Sequence, residues 1–74
     1  MIEIAEMTKD NKELIFNYTN WRGDHSVRRI TPVKIWFGTT EWHQEHQWFL
    51  QGTDLDKGEL RDFSLKDIVF IKNR

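Results

Sequence analysis

Three observations in the sequence predict an all-β fold. Five short runs rich in β-branched and aromatic residues are separated by clusters of Gly, Asn, Asp and Ser, the alternation of strand and turn chemistry. The only proline, Pro32, falls inside the longest run, where a residue that donates no ladder hydrogen bond marks an edge or a bulge. A Ser-x-x-Asp turn, Ser64 to Asp67, precedes the last run. Together they predict a small, strongly bent antiparallel sheet in one domain spanning residues 1–74.

The segment Ile2 to Asn11 fits either one or two helical turns or an irregular lead-in. Ile2, Ala5 and Met7 are loosely helix-spaced, Ile2 and Ile4 also suit a strand, and nothing before Ile2 could cap a helix. Leu14 to Thr19 is a strand with Leu14, Phe16 and Tyr18 on one face and Ile15, Asn17 and Thr19 on the other. Asn20 to His25 carries the Asn, Gly and Asp of a hairpin turn. The return strand runs from Ser26 to Phe37, bent at Pro32, with Arg28 and Ile30 sharing a face opposite Val27, Arg29 and Thr31.

Gly38 to His46 reads as a polar loop with at most one helical turn, long for so small a domain. Gln47 to Thr53 is apolar on both faces, Trp48 and Leu50 on one and Phe49 on the other, as befits a central strand. Asp54 to Gly58 is a tight turn that sends Glu59 to Phe63 back antiparallel. Ser64 is placed to cap one helical turn before Ile68 to Ile71 resumes as a strand. A flat five-stranded sheet would leave an aromatic face in water, so closure as an SH3-like or Sm-like barrel is expected.

Composition narrows the function classes. With no cysteine there is no disulfide and no thiolate metal site, which points to a reducing, cytoplasmic setting. No apolar run approaches the roughly 18 residues of a membrane span. Net charge is −1, but Arg22, Arg28, Arg29 and Lys34 face only Asp24 between residues 22 and 36, a local +3. From residue 37 to 62 six acids meet Lys57 and Arg61, a local −4. Such a basic segment could meet a phosphate-bearing ligand, or simply be a solvated face paired across the sheet.

His43 and His46 have His-x-x-His spacing, and Glu41, Glu45 and His25 are near in sequence. Two local ligands without cysteine read as surface histidines, so no metal and no cofactor is expected. No nucleophile motif, phosphate loop or dinucleotide fingerprint occurs, which disfavours an enzyme. Trp21, Trp36 and Trp42 fall in or beside loops, where exposed tryptophan suits a protein interface or self-association.

Four elements in order resemble the WYL-domain family: Tyr18 ending the first strand, Arg28-Arg29-Ile30-Thr31-Pro32, then Trp48-Phe49-Leu50, and Arg61-Asp62-Phe63-Ser64-Leu65-Lys66-Asp67-Ile68. The match runs from about Leu14 to Phe70. Phe49 replaces the signature tyrosine, Asp67 stands where many members carry a second arginine, and the loop from Trp36 to Gln47 is longer than usual. Members are commonly appended to a DNA-binding helical domain that these 74 residues do not contain, so a stand-alone, divergent version of bacterial or phage type is expected.

The resemblance implies an Sm-like barrel acting as a non-enzymatic sensor or regulatory module, in transcription regulation or defence. Its ligand would be anionic, a nucleotide or single-stranded nucleic acid, contacted by Tyr18, Arg28, Trp48, Phe49 and Arg61. Planar guanidinium forks suit phosphate and aromatic faces stack bases, which agrees with that assignment. Against it, plain core packing is the favoured reading of Trp48, and Arg28 and Arg61 could form cross-strand ion pairs with Asp62 or Asp67. The alternative function is a protein-interaction module using Trp21, Trp36 and Trp42.

Overall fold

The computed structural model describes the backbone of residues 2–6 and all of residues 13–71. Among the described residues six strands run in the order β1 (Ile2–Glu6), β2 (Leu14–Thr19), β3 (His25–Gly38), β4 (Gln47–Asp54), β5 (Glu59–Ser64) and β6 (Ile68–Phe70), with a 3-10 turn at Leu65–Asp67 between the last two. Every pairing is antiparallel. The sheet order is β5-β4-β3-β2-β6, and β1 pairs with β3 beside this path.

Strand β3 organises the rest because it is long enough to serve three partners. One edge is paired with β4 from Ile30 to Gly38. The other is divided: residues 25–30 pair with β2, and residues 34–37 pair with β1. Pro32 sits at the division, opposite Gly52, and the β3–β4 register shifts between Pro32 and Lys34. The proline-bent strand expected from the sequence is therefore present, with its bulge. A side chain at Gly52 would meet Ile30 Cδ1 at 2.6 Å and the Thr31 carbonyl oxygen at 2.9 Å, so glycine is what lets the strands approach here.

Two features of the sheet correct the sequence reading. The N-terminal segment, read as either helical turns or an irregular lead-in, is a strand over Ile2–Glu6, while residues 7–12 of it lie outside the described residues. The expected barrel is an open, bent sheet: among the described residues no ladder joins its ends, β5 and β6, which are linked only through the 3-10 turn. Ser64 does not cap that turn with its side chain. Its hydroxyl donates to Gln47 Oε1 and its backbone N–H to the Tyr18 hydroxyl, 2.9 Å away, so it ties three strands together.

The core lies on the face that carries Leu14, Phe16 and Tyr18. Phe16, Tyr18, Ile30, Leu50 and Phe63 are buried together, with Ile35, Leu65 and Ile68 packed against them. The rings meet edge to face, Phe16 on Phe63 at 5.2 Å and Tyr18 on Phe63 at 5.0 Å, the arrangement the ring quadrupoles favour. On the opposite face Trp36 stacks on Phe49 at 4.8 Å, the two residues lying directly across β3 and β4. No helix among the described residues is long and apolar enough to cross a membrane.

Candidate functional site

Three pieces of chain converge beside the unpaired edge of β5. The first is the β2–β3 turn, where the Asn20 side chain accepts from the backbone N–H groups of Arg22 and Asp24 at 2.9 and 3.0 Å, the turn chemistry its Asn-x-x-Gly-Asp sequence offers. The second is the β3–β4 loop, where the Thr40 hydroxyl accepts from the backbone N–H groups of Trp42 and His43. No helical turn forms in this loop. The third is β5 itself, whose residues 59 to 63 border the space between along the strand edge.

That space is a cavity of about 530 Å³, floored by Tyr18, Arg28 and Phe63 and flanked by Trp21, Trp42 and Arg61. Trp21 and Trp42 are more than half exposed and stack on each other at 5.2 Å with their planes 17° apart, so the turn and the loop meet ring on ring. Behind them His43 presses edge-on against Phe49 at 5.7 Å. The His43 Nε2 atom is buried with no hydrogen-bond partner among the described residues.

Of the five residues named from the sequence, Tyr18, Arg28 and Arg61 line this cavity, whereas Trp48 and Phe49 are not part of the lining. Phe49 is fully buried under Trp36 and His43, because the long loop folds over the face where the sequence left it facing a ligand. Trp48 is half-buried and packs edge-on against Phe37 at 5.0 Å, at the start of β4. Trp36, expected at an exposed interface, is buried, and its indole N–H donates to Asp62 Oδ1 at 2.8 Å.

The two arginines have different surroundings. Arg28 donates through Nη1 to Asp54 Oδ2 at 2.9 Å and through Nε to the Ser26 hydroxyl, and its guanidinium lies over the Phe63 ring. Asp54 is buried and also accepts from the backbone N–H groups of Asp56 and Lys57, so one carboxylate shapes the β4–β5 turn and holds Arg28. Burial pushes the Asp54 carboxyl up, but Arg28 and the two backbone donors outweigh it and leave the group below the usual carboxylate value. Arg61 pairs with Glu59 at 3.0 Å, with the arginine side chain partly and the glutamate mostly exposed. Arg28 thus makes a cross-strand ion pair, with Asp54 and not Asp62 or Asp67, whereas the Arg61 pair lies within β5, two residues apart.

Tyr18 is buried, which pushes its phenol pKa above the ordinary value, partly offset by the N–H of Ser64 that its oxygen accepts. The cavity is not basic. Its lining carries Arg28 and Arg61 against Glu41, Glu59 and Asp62. Among the described residues no group of three or more His, Asp or Glu is gathered closely enough to hold a metal ion.

By architecture this is a small all-β domain with a loop-walled cleft at one sheet edge, the arrangement in which loops on a rigid scaffold carry recognition. The sequence matches the WYL domain over residues 1–72, and the chain belongs to that family. WYL domains are commonly ligand-sensing regulatory modules. No curated protein and no solved structure matches the chain.

Proposed function

We propose that this WYL domain is a non-catalytic regulatory module that binds a small ligand in the cavity between β5, the Trp21 turn and the Trp42 loop. The observation that carries the reading is the convergence itself. Tyr18, Arg28 and Arg61, far apart in sequence, line one cavity with two exposed tryptophans that no packing requirement of the core explains. Its volume falls within the range of small-molecule pockets.

A nucleotide-type anion is the second reading, favoured by the exposed Arg61–Glu59 pair. Such a pair contributes at most about 1 kcal/mol, so a phosphate could take Glu59's place. Arg28 is a supporting group under both readings, since its charge is already met by Asp54. Phe49 supports the site only from behind, through His43, and Trp48 packs on Phe37 outside the lining.

Thermal melting of the full chain against nucleoside monophosphates, amines and amino acids tests the assignment. A ligand that raises the midpoint should lose that effect in Trp42→Ala. Equal stabilisation of the variant would move the site elsewhere. Loss in Arg61→Ala at unchanged fold would select the anionic reading.

A further inference from the structure

Resting on the assignment of this cavity as the ligand site, we infer that its ligand is an organic cation, an ammonium or guanidinium group, and that Asp62 receives it. Once the two ion pairs are set aside, Arg28 with Asp54 and Arg61 with Glu59, the charged groups left on the lining are Glu41 and Asp62. Neither lies within ion-pair distance of a cation among the described residues.

Asp62 is held as a receptor would be. It is partly buried, and its Oδ1 accepts from the Trp36 indole at 2.8 Å and from the Gln51 amide at 3.2 Å. Both donors are neutral, so they fix the carboxylate without cancelling its charge. No donor among the described residues engages the second oxygen. A carboxylate fixed by neutral donors in a cavity wall favours a ligand that brings positive charge and N–H groups, and opposes one that brings phosphate.

The aromatic walls point the same way, since indole faces attract cations. The molecule already uses two rings of this lining in that manner: Arg22 lies over Trp21 at 5.8 Å and Arg28 over Phe63 at 5.7 Å. Trp42, stacked against Trp21, carries no cation among the described residues and is more than half exposed. Trp42 and Asp62 thus offer an aromatic face and a fixed negative charge in one cavity.

The cation could be a free amine or a basic side chain of a peptide, and the same titration separates them. Isothermal titration of the full chain uses spermidine, an N-acetylated, C-amidated tri-lysine peptide, and AMP as the anionic control. Saturable binding of spermidine or the peptide is expected, the tighter of the two identifying the source. Asp62→Asn keeps an oxygen for Trp36 and Gln51 but removes the charge. It should weaken cation binding at least tenfold at an unchanged melting temperature, and Trp42→Ala should weaken it as well. Cation binding indifferent to Asp62→Asn overturns the inference, as does uptake of none of the three probes. AMP binding tighter than either cation and lost in Trp42→Ala would overturn the cation while leaving the cavity as the site.

Discussion

Arg28 and Arg61 line the same cavity, yet they differ in what they can give up. The Arg28 side chain is 14% exposed and bonded to an aspartate that is 1% exposed, whereas Arg61 and Glu59 are 38% and 59% exposed. A buried pair is costly to break because the partner is left charged and dry, while an exposed pair exchanges with water and salt. Arg28 therefore belongs to the scaffold that carries the cavity, and Arg61 to the surface that a ligand can rearrange. Resemblance to a family places both on one site, but burial decides which one can serve the ligand.

Breaking the scaffold side should give the largest effect. Arg28→Ala strands Asp54 in the β4–β5 turn and removes the cation over Phe63, so a loss of roughly 3–5 kcal/mol is expected in urea unfolding. Combining it with Asp54→Asn should cost less than the sum of the two changes, because each removes the same pair. Gly52→Ala comes next. The added methyl meets the Thr31 carbonyl oxygen as well as the Ile30 side chain, and backbone yields poorly, so about 1–3 kcal/mol is expected.

Acid should act on the same side of the comparison. The folded-state pKa of Asp54 is depressed, so the stability it contributes is fully present above the unfolded-state value, about 3.9. That stability is lost as pH falls through the lower, folded-state value. Urea unfolding at a series of pH values from 6 downwards should show this loss, and Asp54→Asn should flatten the curve in the acid window alone. An unchanged slope in the variant would mean that other carboxylates govern acid unfolding.

The strands were largely legible because each is a local pattern. Leu14–Thr19 alternates cleanly, Pro32 marks the bulge, and Asn20 and Asp54 announce their turns. What escaped was set by contacts distant in sequence. Ile2–Glu6 has no strand alternation of its own strong enough to exclude a helix, and it is a strand because β3 has an edge free beyond β2. Asp54 lies 26 residues from Arg28, and nothing in its turn motif names that partner. Phe49 looked available to a ligand because the sequence does not say that His43 and Trp36 cover it. Trp21 and Trp42 stood out as excess aromatics, but only the fold sets them face to face beside Asp62.

The smallest expected effect on stability is also the sharpest test of the comparison. Arg61→Ala removes a guanidinium whose Glu59 partner is mostly in water, so the unfolding free energy should change by no more than about 0.5 kcal/mol. A larger loss would show that Arg61 is scaffold like Arg28. If stability holds, removing the arginine leaves Glu59 unpaired beside Glu41 and Asp62, and the cavity becomes more negative. Binding of spermidine in isothermal titration should then tighten and grow more sensitive to salt, since a screened long-range attraction has been strengthened. Unchanged or weaker spermidine binding in the variant would show that the charge balance of this lining does not set its affinity for cations, and would count against a cationic ligand.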